Sequence, residues 1–264
     1  MRSKRECAYY NENDPYAAQW LRNLISAGHI AVGDVDERSI VDVRADDLRG
    51  YTQCHFFAGI GGWSYALRLA GWPDDQPVWT GSCPCQPLSR TGIKKGHADE
   101  RHLWPAFYPL IAKCRPAIIF GEQVTGPDGR EWVAGVRADL EATDYACGIA
   151  DIPAAGVGAP HNRPRLYWLA NTNGARWPTW SSVAEGMGHG SSIEPSSHRS
   201  FWNSFQAHEG DDRSVRRVGS RVRAVAHGIP ARMGKLRAAG NAIVPPLAAQ
   251  FIQAAMTPQS PVNT

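Results

Sequence analysis

Two short segments of this 264-residue chain combine residue types from which catalytic and binding chemistry can be built. In the segment 81–89 (GSCPCQPLS), the positions of Pro84 and Pro87 on either side of Cys85 predict a rigid turn. A thiolate on a fixed loop is an effective nucleophile, because the loop can hold it at attacking distance from a substrate. A buried structural thiol in a proline-rich turn would show the same pattern, so this segment alone leaves both interpretations open.

The second segment is a glycine cluster that follows a short apolar run. Residues 53–58 (QCHFFA) predict a buried strand, and Gly59, Gly61 and Gly62 come directly after it. Glycines at such a strand-to-helix turn let the backbone approach a bound cofactor closely. A tight turn without a ligand would have the same composition, so the cluster by itself is weak evidence of a cofactor site.

Short strands and helices alternate along most of the chain and would position both segments. Strands are predicted at 53–58, 78–80, 116–120 and 165–170, and helices at 17–27, 63–70, 103–114, 132–143 and 245–255. This alternation predicts an α/β fold with a doubly wound parallel sheet, in which sites form at the carboxyl ends of the strands.

Residues 171–224 differ from the rest of the chain. They are rich in Ser, Gly, Trp, His and Arg and show little periodicity, which indicates a long functional loop or a small irregular region. We therefore predict a main domain formed by residues 1–170 and 225–264, with 171–224 as a separate region.

Charge is unevenly distributed along the chain, although the net charge is only +3. The first 160 residues carry 16 Lys and Arg against 20 Asp and Glu, whereas residues 161–264 carry 12 against 5. A basic C-terminal part suggests a polyanionic partner. A solvated, arginine-rich surface would have the same composition.

Composition also argues against several classes of protein. The six cysteines include no CxxC pair, so we expect reduced thiols and no metal site. No stretch reaches the roughly 18 to 20 apolar residues needed to span a bilayer. Polar residues 11–14 follow the basic N-terminus where a secretory signal would be apolar, so we expect a cytoplasmic protein.

Taken together, the FAGIGG and PCQP segments resemble the DNA cytosine-5 methyltransferase family, and three further motifs follow in the family's order. Residues 120–124 (FGEQV) are similar to its E-N-V motif, with Gln123 where Asn is usual. Residues 159–165 (APHNRPR) are similar to its PQxRxR motif, with His161 in place of Gln, and residues 240–245 (GNAIVP) resemble its closing motif. The resemblance implies a Rossmann-like, S-adenosylmethionine-dependent methyltransferase fold.

The order of two other motifs departs from the family pattern. Only 20 residues separate Gly62 from Cys83, too few for the acidic and G-D motifs that the family places there. Residues 11–17 (NENDPYA) and 33–35 (GDV) resemble those two motifs but precede the glycine cluster. We infer a rearranged chain order in which the same sheet assembles, since neighbouring strands need not be consecutive in sequence. If this match were chance, the cofactor site would lack its ribose and adenine ligands.

The resemblance implies a set of cofactor-binding residues. Glu12 would hold the ribose hydroxyls of S-adenosylmethionine, Asp34 would bind the adenine amino group, and Asn241 and Ala242 would close over the cofactor. The remaining predicted contacts are Asn13, Val35, Phe57, Ala58, Gly59, Ile60, Gly61, Gly62 and Pro84.

The resemblance also implies catalytic roles. The thiolate of Cys85 would add to carbon 6 of cytosine, which makes carbon 5 nucleophilic toward the methyl group. Glu122, with a pKa raised by burial, would hold a proton at ring nitrogen 3. Arg165, helped by Arg163, would bind the exocyclic oxygen.

A cytosine in a stacked duplex is inaccessible to such a site, so the base would have to be flipped out. We expect double-stranded DNA as partner, with residues 171–224 as the target-recognition region. Predicted DNA contacts are Gln86, Ser89, Arg213, Arg216, Arg217, Arg221 and Arg223. We expect a monomer that acts at the nucleoid of a bacterial or phage-infected cell, alone or beside a restriction endonuclease.

Three other functions remain open at this point. Gln123, His161 and the rearranged order would fit a catalytically decayed DNA-binding relative. A Pro-Cys nucleophile could also act on a free pyrimidine nucleotide with a folate cofactor, although the glycine cluster favours S-adenosylmethionine. The same chemistry could act on RNA.

Overall fold

The computed structural model describes residues 8–84, 103–159, 161–172 and 241–256, together with the strands Phe205–Glu209 and Val215–Gly219. Several predicted site residues lie outside these ranges: Cys85, Gln86, Ser89, Arg213, Arg221 and Arg223. The strand Val215–Gly219 carries Arg216 and Arg217.

Seven strands form one mixed sheet. They are β1 (Ala8–Asn11), β2 (Gly33–Asp36), β3 (Gln53–Phe56), β4 (Val78–Gly81), β5 (Ile118–Val124), β6 (Ala146–Pro153) and β7 (Pro164–Asn171). Their order is β2-β1-β3-β4-β5-β7-β6. The first five are parallel neighbours, and β7 runs antiparallel to both β5 and β6. The predicted α/β sheet is therefore confirmed, with an antiparallel β7 that the apolar pattern did not reveal.

Four helices lie between these strands in the chain, and a fifth follows all of them. They are α1 (Pro15–Ser26), α2 (Gly62–Leu69), α3 (Trp104–Cys114), α4 (Pro127–Glu141) and α5 (Pro245–Met256). A separate antiparallel pair, β8 (Phe205–Glu209) and β9 (Val215–Gly219), lies within the predicted target-recognition region. None of the helices in the described part of the chain is long and apolar enough to cross a membrane.

The two N-terminal strands join the sheet next to the strand that leads into the glycine cluster. β1 pairs in parallel with β2 on one side and with β3 on the other, with Asn11 opposite both Asp36 and Phe56. The inference that strands preceding the glycine cluster complete the same sheet is thus confirmed by the strand order. The carboxyl ends of β1, β2 and β3 consequently meet at one edge of the sheet.

Local sequence signals explain where the first two helices begin. Asp14 caps α1 by accepting a hydrogen bond from the Tyr16 amide, and Pro15 fits the first turn because its missing N–H would have no partner there. Gly61 precedes α2 with a φ of 80°, a left-handed conformation that glycine adopts without strain. The glycine turn therefore fixes where α2 starts.

The central strands are buried on both faces, as expected for a sheet covered by helices on each side. Phe56, Trp79 and Trp168 pack with α3 and α4 on one face, whereas Phe120 and Tyr167 pack with α2 and α5 on the other. This two-sided core holds the strand ends in fixed relative positions, which a site built from several strands requires.

Candidate active site

A cleft of about 420 Å³ opens at the carboxyl ends of β1, β3, β4 and β5. Ligands of open α/β sheets bind at this edge of the sheet. The cleft brings together most of the predicted site residues within the described part of the chain: Glu12, Asn13, Phe57, Gly59, Ile60, Pro84, Glu122, Arg163, Arg165, Asn241 and Ala242. Residues separated by more than 200 positions in the chain therefore share one cavity.

Glu12 connects β1 to the glycine turn. One carboxylate oxygen, Oε2, accepts the Gly59 N–H at 2.7 Å, and the other, Oε1, accepts the Asp14 N–H at 2.9 Å. The Ala58 N–H also donates to the Asn11 carbonyl at 3.0 Å. The end of β1 and the glycine turn are thus joined by a charge-assisted hydrogen bond and a backbone hydrogen bond.

The segment after β2 contributes residues that the sequence analysis missed. The Asn11 side chain donates to the carbonyls of Asp36 and Arg38, at 3.3 and 2.8 Å. These contacts hold the segment beside β1, so that Ser39 and Ile40 line the cleft. The signal was their position three and four residues after a strand, but a four-residue strand with two charged residues is hard to identify from sequence.

Asp34 and Val35 are not among the described residues that line the cleft. Both lie inside β2, opposite Tyr9 and Tyr10, and not at its carboxyl end. Asp34 is exposed and accepts a hydrogen bond from the Tyr51 hydroxyl at 2.7 Å. Val35 packs against a small apolar cluster beside α1. Register along the strand, which the motif did not reveal, decides their positions.

Ala58 and two members of the glycine cluster, Gly61 and Gly62, are also not among the described residues that line this cleft. Ala58 packs in the same apolar cluster as Val35. Gly61 and Gly62 line a neighbouring apolar cleft, which Ile60 and Ala242 border as well. Their contribution is to shape the turn, whereas Gly59 and Ile60 face the main cleft.

The opposite wall of the cleft carries a buried ion pair. Arg165 Nε lies 2.8 Å from Glu122 Oε1, and only 8% of Glu122 is exposed. Burial raises the pKa of the Glu122 carboxyl, and the nearby guanidinium groups of Arg165 and Arg163 oppose that rise without cancelling it. The antiparallel register of β5 and β7 pairs Glu122 with Tyr167 and Val124 with Arg165. Arg165 is therefore two positions along β7 from the residue opposite Glu122, on the same face of the sheet, where the two side chains can meet.

Arg163 links this wall to the C-terminal segment. Its Nη2 donates to the Ala242 carbonyl at 2.9 Å, and burial lowers the pKa of its guanidinium. Its φ of 33° is unusual for a residue other than glycine. Such strain tends to occur at functional sites, where the surrounding structure holds it in place.

The loop that leads toward Cys85 begins at the centre of the cleft. Ser82, Cys83 and Pro84 line it, directly after β4 ends at Gly81. Gln123 also lines the cleft, whereas His161 is exposed outside it. One face of the cleft thus has the Glu12 carboxylate and the glycine turn, which the sequence analysis predicted to bind a cofactor. The other face has the Glu122 carboxyl and two guanidinium groups, beside residues 82–84 of the cysteine loop.

A seven-stranded α/β sheet with a cleft at the carboxyl ends of its parallel strands has the architecture of the doubly wound, cofactor-binding class of proteins. The family profile for C-5 cytosine-specific DNA methylases matches residues 72–209. This match covers just over half of the chain, and the chain belongs to that family.

Individual proteins show the same likeness over shorter stretches. The chain is 35% identical to the Type II methyltransferase M.AplI of Arthrospira platensis over 118 residues, which cover 44% of this chain and 33% of that protein. It is 24% identical to the Type II methyltransferase M.NlaX of Neisseria lactamica over 173 residues, covering 63% of this chain and 45% of that protein. The matched stretches therefore span less than half the length of either relative.

Among solved structures, the S. pombe Dnmt2 methyltransferase matches with 16% identity and a TM-score of 0.44. The match covers 77% of this chain and 64% of that one.

Proposed function

We propose that the chain is a DNA cytosine-5 methyltransferase that moves a methyl group from S-adenosylmethionine to carbon 5 of a flipped-out cytosine. The observation that carries the proposal is the placement of the buried Glu122–Arg165 pair, the glycine turn and the cysteine loop around one cleft. Family membership supports the same reaction.

The cofactor side of the cleft fits S-adenosylmethionine. Both oxygens of Glu12 already accept a backbone N–H, and each retains a lone pair for a ribose hydroxyl. Among the described residues, no atom lies within 4 Å of the position that a Gly59 side chain would take, so a ligand can approach the backbone there. Phe57, Ile40 and Ile60 add apolar surface. When bound, the cofactor supplies an electrophilic methyl group.

In the proposed mechanism, the Cys85 thiolate forms a bond to carbon 6 of cytosine, which makes carbon 5 nucleophilic. Methylation of carbon 5 would break the sulfur–methyl bond of S-adenosylmethionine and leave S-adenosylhomocysteine. The Glu122 carboxyl holds a proton at ring nitrogen 3, for which its raised pKa suits it. The Arg165 guanidinium, with Arg163 nearby, stabilises negative charge on the exocyclic oxygen. Loss of the carbon 5 proton then breaks the bond between carbon 6 and sulfur and releases Cys85.

The substrate side of the proposal concerns DNA. A stacked cytosine cannot enter a cleft at a strand edge, so we propose base flipping, at a cost of a few kcal/mol. We further propose that residues 171–224 recognise the target, with Gln86, Ser89 and Arg213, Arg216, Arg217, Arg221 and Arg223 contacting DNA. In this proposal the enzyme acts as a monomer at the nucleoid, with or without a partner endonuclease.

The test is transfer of radiolabelled methyl from S-adenosylmethionine to unmethylated duplex DNA. We expect label on cytosine carbon 5 with the wild-type protein and none above background with Cys85→Ala, because the nucleophile is lost. Cys114→Ala, which removes a half-buried thiol from α3, serves as the control and should retain transfer.

Undiminished transfer by Cys85→Ala would overturn the mechanism. Transfer to RNA but not to DNA would change the substrate, and absence of transfer by a wild-type protein that binds the cofactor would indicate a decayed relative. Binding of folate alone would instead favour chemistry on a free pyrimidine nucleotide.

A further inference from the structure

The loop that leads to Cys85 is held from two sides before it reaches the cysteine. The Trp63 Nε1–H donates to Ser82 Oγ at 2.9 Å, and Gln123 Nε2 donates to the Cys83 carbonyl at 3.2 Å. Ser82 and Cys83 lie three and two positions before Cys85. The two donors come from different elements, α2 and β5.

Gln123 replaces a backbone hydrogen bond that the sheet cannot supply. The parallel ladder between β4 and β5 pairs Gly81 with Gly121 and ends there. Continued by two residues, this register would place Cys83 opposite Gln123, but β4 has ended at Gly81. The buried Gln123 side chain reaches the Cys83 carbonyl instead, while its Oε1 accepts the Val124 N–H at 2.8 Å.

Trp63 holds the same loop against the glycine turn. It is the second residue of α2, directly after Gly61 and Gly62, and only 4% of it is exposed. Its indole stacks on Phe120, with ring centroids 6.1 Å apart and planes at 21°. The ring is therefore fixed in the core, and the hydrogen bond from its N–H holds Ser82 at a fixed place relative to the core.

We infer that Trp63 and Gln123 are positioning residues for the nucleophile. Through Ser82 and Cys83 they fix the start of the Cys85 loop relative to the glycine turn and to Glu122 at the end of β5. The start of the loop that leads to the nucleophile and the base-binding carboxyl are thereby held in fixed relative positions before either substrate binds. The inference rests on the proposed function, in which Cys85 is the nucleophile.

The chain offers a closely matched control for Trp63. Trp72 is also 4% exposed and contacts Phe120, with centroids 5.9 Å apart. Its indole N–H donates to the Gln76 carbonyl at 3.1 Å, in the turn before β4 and away from the loop. Trp63→Phe and Trp72→Phe therefore remove the same ring atoms and the same kind of hydrogen bond, and differ in what that bond holds.

The experiment compares Trp63→Phe, Gln123→Glu and Trp72→Phe with the wild-type protein. Gln123→Glu keeps the shape and the Oε1 acceptor, and in its ionised form it has no donor for the Cys83 carbonyl. In single-turnover transfer to duplex DNA, the first two variants should lose about 10- to 100-fold in rate, the loss expected from a small misplacement of a reacting group. Trp72→Phe should retain the wild-type rate, and S-adenosylmethionine affinity measured by calorimetry should be unchanged in all three.

A second measurement does not depend on the methylation activity. Cys85 is alkylated with iodoacetamide in the absence of DNA and cofactor, and its labelling rate is followed by peptide mass spectrometry. In Trp63→Phe and Gln123→Glu the rate should differ from that of Trp72→Phe by about threefold or more, because thiol reactivity depends on its surroundings. Equal labelling rates in all variants would overturn the inference, whereas absence of methyl transfer by the wild-type protein would overturn only the proposed function.

Discussion

The Glu122 carboxyl is buried beside two guanidinium groups, and these two influences on its pKa oppose each other. Burial raises the pKa and outweighs the effect of Arg165 and Arg163, so the group holds a proton at a higher pH than an ordinary glutamate. The proposed role at ring nitrogen 3 requires that protonated form. Activity should therefore fall as the pH rises through the pKa of Glu122.

Glu122→Gln tests this role directly. The amide keeps the size of the side chain but cannot exchange a proton, so we expect transfer to fall by about 10²- to 10⁴-fold. The pH dependence attributed to Glu122 should disappear from the residual activity. Methyl transfer measured from pH 5 to 9 provides both quantities.

Glu131→Gln is the control for that substitution, because it removes an exposed carboxylate from α4. It should leave both the rate and the pH profile unchanged. A Glu122→Gln protein with a full rate would exclude proton transfer by this residue.

At the scale of elements, Glu12 joins two parts of the chain that are 47 positions apart. It holds the end of β1 against the glycine turn, so the same carboxylate that is proposed to bind the ribose also shapes the turn. Loss of its charge should therefore weaken cofactor binding more than it weakens catalysis by the bound enzyme.

Glu12→Gln should lower the affinity for S-adenosylmethionine by about tenfold, since one hydrogen bond to a charged group contributes about 1.5 kcal/mol or more. At saturating cofactor, the transfer rate should stay close to that of the wild-type protein. Calorimetric titration together with transfer at high cofactor concentration separates the two effects.

Glu37→Gln is a matched control on the same N-terminal part. Its carboxylate pairs with Arg22 at 2.6 Å on the surface, where such pairs contribute little. Equal cofactor affinity of the Glu12→Gln and Glu37→Gln proteins would contradict the role given to Glu12.

At the scale of the whole molecule, the sheet contains a buried histidine, His55, in β3. His55 on β3 is 1% exposed and contacts Thr80 Oγ1 at 2.8 Å and Gln53 Oε1 at 3.2 Å. Burial lowers the pKa of His55 to about 3, so the ring stays neutral in the folded protein. The unfolded chain, by contrast, binds a proton there below a pH of about 6.5.

The folded protein should consequently lose stability as the pH falls from about 6.5 toward 3. Within that window His55 alone contributes a slope of up to about 1.4 kcal/mol per pH unit, because unfolding takes up one proton. Denaturant unfolding at pH 7.5 and pH 5 measures the effect. His55→Gln should lose less free energy of unfolding between pH 7.5 and pH 5 than the wild-type protein does. His29→Gln, at an exposed position, should lose as much as the wild-type protein.

The sequence determined the features that depend on local chemistry. The glycine cluster defines the turn before α2, and apolar runs identify β3, β4 and β7. The helix predicted at 17–27 begins two residues earlier, at Pro15, after its Asp14 cap. These signals act within a few residues, so they can be read without knowing the fold. The order of motifs was enough to predict that the N-terminal strands join the same sheet, which the strand pairing confirms.

Other features of the secondary structure were missed because their local signals are weak. β6 (Ala146–Pro153) was not predicted, because it mixes Gly, Ala and Pro with few large apolar residues. β5 extends to Val124 and not only to residue 120, because pairing with β7 carries the strand past Gly121. At that glycine a side chain would collide with the Trp168 ring, a restriction that exists only once β7 is in place.

Only the tertiary structure decided which members of each motif reach the cleft. Asp34 was predicted to bind the cofactor, yet the register of β1 with β2 leaves it inside the strand, and Ser39 and Ile40 line the cleft instead. The contacts of Glu12 with Gly59, Arg165 with Glu122 and Trp63 with Ser82 likewise join residues far apart in sequence. Sequence motifs specify local conformation and side-chain chemistry, whereas register and packing between distant strands set the distances on which a site depends.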